Sequence, residues 1–318
     1  MNKIRIIVIA GPTASGKTAL GVELAKRFNG EIVSGDSMQI YRELSVSTAK
    51  PTALEMQGVP HHLLNIRSVR QSYSVADFVQ DAGAAIQQIV AGGRLPFLVG
   101  GTGLYIDALI QNLDFSQQNR DENLRRRLAE QAQIHGEAYM YAQLQKIDPQ
   151  SAAQIHPHNH KRVLRALEMY YATGQTKTRQ MEQSRLNQSP YRPLYIGLRF
   201  SDRQALYDRI NRRVEQMLQN GLVEEARMFY TSDPCATALG AIGCKELKPY
   251  LDGSDTLEHC VQVLQMQTRR YAKRQITWFS RNPQMHWLSA DMPDTTERAA
   301  ELIRQFLQED TEHEKQSL

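Results

Sequence analysis

The apolar run IRIIVIA ends at residue 10 and leads straight into GPTASGKT, residues 11 to 18. That octet fits G-x-x-x-x-G-K-[ST], a loop whose backbone N–H groups wrap phosphate oxygens between a strand and the first turn of a helix. The helical stretch ALGVELAKRF follows at once, so strand, loop and helix stand in the order the motif requires. Gly11, Pro12, Thr13, Ala14, Ser15 and Gly16 form the cradle for a diphosphate, Lys17 adds a point charge, and the Thr18 hydroxyl is the expected ligand of Mg2+.

Two further apolar runs, EIVSGD and LPFLVGGTG, also end in glycine or a polar turn and are separated by helical-length segments. This alternation is that of a parallel α/β sheet. PLYIGLRF (193 to 200) and MHWLS (285 to 289) supply a fourth and fifth strand. Between about 116 and 190 the strand signals vanish and the sequence turns helical and polar. The expected fold is therefore an α/β P-loop NTPase-like parallel-sheet core, residues 1–115 and 190–318, with an inserted all-helical domain at 116–189. A helix opens at the Ser-Asp pair 201–202, repeats apolar residues at Leu206, Ile210, Val214 and Leu218, and stops at Gly221. The last eight residues, TEHEKQSL, are expected to fray.

The net charge of +4 hides an asymmetry. Residues 291 to 318 hold eight acids and three bases, which leaves 35 basic and 26 acidic residues in positions 1 to 290. A body at +9 favours polyanionic partners. Three cysteines without C-x-x-C spacing argue against a disulfide framework or a cysteine-rich zinc site, and a reducing cytoplasm is the expected setting. No stretch has the length of a transmembrane helix.

Ligands of an open parallel sheet bind beyond the carboxyl ends of its strands. Asp36 ends the second, followed by Ser37, Met38 and Gln39. It is either a helix cap or turn residue, or a general base facing the phosphate loop. The third ends in GGTG, residues 100 to 103, where many P-loop NTPases carry a metal-holding acid. Those glycines serve a tight turn or let a second molecule approach the diphosphate, with Thr102 donating to it. The pattern suits a transferase better than a motor.

Basic clusters point to the second substrate. Arg125, Arg126 and Arg127 form one; Lys161, Arg162 and Arg165, within KRVLR, form another. TRRYAKRQITWFSR (268 to 281) combines five bases, no acids and three aromatics. Cations bind phosphates and aromatics stack on unpaired bases, which suits a structured RNA with an open loop. The alternative is a solvated basic helix whose aromatics, Trp278 and Phe279 among them, are core. HPHNH (156 to 160) lacks a cysteine partner or a carboxylate at fixed spacing and reads as a polar loop introducing a helix. His61 and His62 carry no clear assignment.

The ordered motifs GPTASGKT, DSMQIYRELSVSTAKPT (36 to 52), GVPHHLL (58 to 64), LVGGTGLY (98 to 105), RVLRALEMYYATG (162 to 174), LYDRINRRVEQMLQNGLVEEA (206 to 226), AIGCKEL (241 to 247) and YAKRQITWF (271 to 279) resemble the bacterial tRNA dimethylallyltransferases along almost the whole chain. The resemblance implies transfer of a dimethylallyl group from dimethylallyl diphosphate to N6 of the adenine at tRNA position 37, in tRNAs reading codons that start with U, with Mg2+ present. It implies Asp36 as the base, and Thr102 with the P-loop as holders of the pyrophosphate; Arg209 and Arg213 are added here as further diphosphate ligands. It also implies tRNA contacts at Asp36 to Gln39, Thr102 and Arg125, and at Lys161, Arg162, Val163, Leu164 and Arg165. Gly240, Ala241, Ile242, Gly243, Cys244 and Lys245 form another contact stretch. The last runs through Lys273, Arg274, Gln275, Ile276, Thr277, Trp278, Phe279, Ser280 and Arg281. Two departures stand out: VSTAK for the common I-G-T-A-K, and Cys244 where the family commonly has tyrosine.

A P-loop small-molecule kinase is the alternative reading, and an RNA-binding NTPase switch a further one. The first gives 268 to 281 no role; the second wants a metal-holding acid that GGTG lacks. A monomer is expected, since a tRNA supplies a large interface.

Overall fold

The computed structural model describes residues 3–113, 121–186 and 188–315. The chain divides into two compact units, Met1–Ile110 with Pro190–Leu318, and Gln111–Ser189. The expected junction at 115/116 lies outside the described residues, as do the last three of the eight terminal positions.

The first unit is built on six strands, β1 (Ile4–Ala10), β2 (Gly30–Ser34), β3 (His61–His62), β4 (Leu95–Gly100), β5 (Tyr191–Arg199) and β6 (Met285–Ser289). They are ordered β3-β2-β4-β1-β5-β6, and every pairing is parallel. Strand β1 lies between β4 and β5, and Ile6 to Ala10 are fully buried, which is why its apolar run is continuous rather than alternating. Its Ile6, Val8 and Ala10 join the larger core on one face, while Ile7 and Ile9 join a second core on the other. β3 is the strand that the sequence did not reveal. Two histidines at a sheet edge, paired to Ile32 and Val33, carry no apolar alternation.

Helices cover both faces: α1 (Lys17–Arg27), the single turn α2 (Ala53–Met56), α3 (Val75–Ala91) and α4 (Gly103–Ile110). Ser74 starts α3 through a reciprocal capping box with Asp77. In the second unit α5 (Glu122–His135), α6 (Glu137–Ile147), α7 (Pro149–Gln154), α8 (His160–Thr173) and α9 (Lys177–Leu186) follow. Leu124, Leu128, Met140, Leu144, Val163 and Leu167 form its core. His156 to Asn159 introduce α8, with the Asn159 side chain accepting from Arg162 N–H.

The chain then returns to the first unit with α10 (Arg203–Gln219), α11 (Leu222–Thr231), α12 (Cys244–Leu251), α13 (Leu257–Phe279) and α14 (Thr295–Lys315). Asp202 caps α10, whose Leu206, Ile210 and Val214 are buried as their spacing predicts. Gly221, at φ 89°, is the residue from which α11 starts.

The ends of β2 and β4 touch at backbone level. A Cβ on Gly100 would overlap the backbone of Gly35, whose N–H and carbonyl bond Val99 and Thr102. Gly100→Ala should therefore destabilise the first unit by about 1–3 kcal/mol or more, read as a lowered urea midpoint. An unchanged midpoint would mean that the two strand ends are not in contact.

Candidate active site

Helix α1 begins without a side-chain cap, after Gly16 in the left-handed region at φ 89°. Its first-turn N–H groups are therefore left to a ligand, and the helix dipole favours an anion there. The Ser15 hydroxyl is buried without a hydrogen-bond partner, as expected of a cradle made for something else. Gly11 is required by a close approach: a Cβ there would meet the Leu198 carbonyl at 2.6 Å.

Two cavities meet at this loop. One, of about 210 Å3, is lined by Thr13, Lys17, Thr18, Asp36, Arg213 and Tyr271 together with apolar residues including Val214, Met217 and Leu264. The other, of about 590 Å3, is lined by Ala14 to Thr18 and by Arg209, Arg212 and Arg213. Lys17, Thr18, Ala49 and Arg213 face both.

The shared boundary is cationic. Lys17 Nζ donates to the Pro12 carbonyl at 2.6 Å. Burial, and then the neighbouring Arg213, lower its pKa to about 7, with the Asp36 charge opposing them. Burial also lowers the Arg213 pKa, against the pull of Asp36 and Glu55. Asp36 Oδ1 accepts Met38 N–H at 2.9 Å, a turn-residue role, and the residue lines the first cavity. Thr102 Oγ1 accepts Ser37 N–H at 3.1 Å. Burial, then the Asp36 charge, raise the Tyr271 pKa, with Thr102, Arg274 and Gln275 opposing them.

Several sequence expectations need correction. The GGTG glycines admit the protein itself: Gly100 meets Gly35, Gly101 the Gln275 amide and Gly103 the Trp278 indole. Gln275 is buried and its side chain is engaged within the protein; its Oε1 accepts Thr13 N–H (2.8 Å) and its Nε2 donates to the Gly101 carbonyl (3.0 Å). Trp278 donates to Asp107 Oδ2 at 2.8 Å, and Phe279 is core. Val163, Ala241 and Cys244 are likewise buried, their side chains turned into apolar cores. Half-buried Leu164 packs on the helical-unit core and Ile276 on the cluster between α10 and α13. Gly11 and Pro12 shape the loop without lining either cavity.

The remaining positions stay available. Ser37, Met38, Gln39, Gly240, Ile242 and Gly243 line the first cavity. Lys245, Lys273, Arg274, Thr277, Ser280 and Arg281 are exposed, as are Arg125, Lys161 and Arg162 in the helical unit. There the buried Glu168 pairs with Arg125 (3.4 Å) and Arg165 (2.9 Å).

Residues that sequence reasoning missed form the wall opposite the P-loop. Ser47, Thr48 and Ala49 line the first cavity, and Glu225 holds their loop by accepting the N–H groups of Ser45, Val46 and Ser47 at 2.7, 2.6 and 2.8 Å. A signal existed: Glu225 shares a helical stripe with Leu222, Ala226 and Phe229, and a carboxylate there must be buried and satisfied.

A strand-borne phosphate loop, a cationic boundary and an acid at the next strand end define a P-loop α/β enzyme with room for a second substrate. The model of the IPP transferase family matches residues 39–282. The tRNA dimethylallyltransferase of Halalkalibacterium halodurans is 48% identical over 294 residues, 92% of this chain and 92% of that protein. Its counterpart in Caldanaerobacter subterraneus is 42% identical over 309 residues, 96% and 98% of the two chains. A crystal structure of the full-length tRNA isopentenylpyrophosphate transferase from Bacillus halodurans superposes with a TM-score of 0.74 at 44% identity, covering 98% of this chain and all of that one. A eukaryotic dimethylallyltransferase acting on tRNA gives a TM-score of 0.80 at 29% identity, covering 96% and 80%. This chain belongs to the IPP transferase family. No helix among the described residues is long and apolar enough to cross a membrane.

The depressed Lys17 pKa makes a direct prediction. In NMR titration of labelled lysines, one resonance should titrate near 7, be absent in Lys17→Arg, and move upward on adding pyrophosphate. A Lys17 that titrates with the surface lysines would contradict the buried cationic boundary.

Proposed function

We propose that this chain transfers the dimethylallyl group of dimethylallyl diphosphate to N6 of the adenine at tRNA position 37, releasing pyrophosphate. The observation that carries the proposal is that Asp36 and Lys17 line one cavity with an apolar wall, while Lys17 also faces a second, arginine-lined cavity. The diphosphate belongs against the P-loop amides, Lys17, Arg209 and Arg213. Ile210, Val214, Met217 and Leu264 offer apolar surface to the five-carbon group.

In the reaction the N6–C bond forms as the C–O bond to the diphosphate breaks. The amine gives a proton to Asp36, because an exocyclic amine is a poor nucleophile until that proton is shared. The departing pyrophosphate gains negative charge, which Lys17, Arg213 and the α1 N–H groups stabilise. Thr102 accepts Ser37 N–H and so helps to fix the turn carrying Asp36. The Thr18 hydroxyl and the Asp36 carboxylate are oxygen donors of the kind Mg2+ prefers, and Thr18 would hold it. Mg2+ there would supply further charge neutralisation for the diphosphate.

Recognition of tRNA falls to the exposed cations Arg125, Lys161 and Arg162 and the half-buried Arg165 on the helical unit, and to Lys245, Lys273, Arg274 and Arg281 on the core unit. Ser280 adds a hydroxyl donor beside the last group, whereas the Thr277 hydroxyl donates to the Lys273 carbonyl at 2.9 Å. A cytoplasmic setting accords with three free thiols, and a monomer with the large interface that a tRNA supplies. A small-molecule kinase is not favoured, since the relatives named above are tRNA dimethylallyltransferases or tRNA isopentenylpyrophosphate transferases.

Asp36→Ala should lower turnover by roughly two or more powers of ten while pyrophosphate binding stays nearly intact. Single-turnover kinetics beside pyrophosphate titration separate the two effects. Full activity in the variant would remove Asp36 from the chemistry.

A further inference from the structure

The sequence HPHNH offers imidazoles without a carboxylate, and the fold supplies one. Glu137, the first residue of α6, stands beside the loop that opens α8, 21 residues before His158 in the sequence. His160 Nε2 lies 2.5 Å from Glu137 Oε2. One ligand atom from each of Glu137, His158 and His160 lies within 4.8 Å of the others. The rings of His158 and His160 are 6.1 Å apart between centroids, and the His156 ring neighbours His158 at 5.3 Å. His156 is already engaged, since its Nδ1 accepts His158 N–H at 3.2 Å.

We propose that Glu137, His158 and His160 form a binding site for a borderline divalent transition ion such as Zn2+. Two imidazoles and one carboxylate are a donor set that such ions favour and that Mg2+ does not. Tetrahedral coordination needs ligand atoms about 3.3 Å apart. Glu137 and His158 are exposed and His160 is half-buried, so their side chains can adjust, the His160–Glu137 pair opening to admit the ion and His158 moving in, and water can take the fourth position. The site lies within the helical unit, apart in composition from the P-loop cradle, and takes no part in the transfer chemistry. A bound ion would fasten the start of α6 to the first turn of α8, the helix that carries Lys161, Arg162 and Arg165.

The test is calorimetric titration of Zn2+ into the full-length, tag-free, metal-stripped chain, repeated with His158→Ala, His160→Gln and the double variant. One ion should bind per chain, each single variant should weaken binding roughly tenfold or more, and the double variant should abolish it. Co2+ in place of Zn2+ should give the visible absorption of a four-coordinate site, lost in the double variant. Absence of Zn2+ binding to the unmodified chain, or an unchanged isotherm in a double variant with unaltered circular dichroism, would overturn the proposal.

Discussion

A single side-chain amide joins the two halves of the phosphate site. Gln275 accepts from Thr13 in the P-loop and donates to Gly101 in the turn after β4. An amide placed between an N–H and a carbonyl satisfies both in only one orientation, so the contact fixes geometry as well as spacing. Gly101 follows from it, since any side chain there would occupy the place of the amide. The same helix turn carries Trp278, held by Asp107 and lying against Gly103. One face of α13 is thus fastened to the phosphate loop, while Lys273 and Arg274 of the same helix, and Arg281 just beyond its end, are exposed.

The site carries a cost in the absence of its ligand. Lys17 and Arg213 are buried cations, and burial depresses both pKa values. Between about 7 and the unfolded-state value of 10.5, the unfolded chain binds a proton at Lys17 that the folded chain has lost. Stability from this group therefore rises as pH climbs through that window. An anion bound beside Lys17 would reverse the balance by stabilising the charged lysine. Glu225 solves the corresponding problem for the opposite wall by saturating one carboxylate with three backbone donors.

Much of this was legible because backbone constraints write themselves into sequence. GPTASGKT, the strand ends at Asp36 and Gly100, and the Asp202 cap each belong to a local geometry that few residues allow. The residues misread were those whose partners lie far away in the chain. Gln275 and Trp278 sit among five bases and read as RNA contacts, yet α13 turns them inward to partners 262 and 171 positions earlier. Cys244 and Val163 lie in polar, basic stretches but fall on the buried stripes of their helices. Periodicity within each helix distinguishes the two faces, whereas composition over a window does not. The glycines of GGTG recorded a close approach correctly, but the approaching group belongs to the chain itself.

The central claim is that the P-loop holds the diphosphate of a prenyl donor and not the triphosphate of a kinase substrate. It is tested most directly by incubating the protein and Mg2+ with an anticodon stem-loop containing A-A-A and either labelled dimethylallyl diphosphate or γ-labelled ATP. The account predicts label in the RNA from the prenyl donor and none from ATP. Phosphoryl transfer from ATP to an acceptor, with no prenyl label entering the RNA, would contradict it.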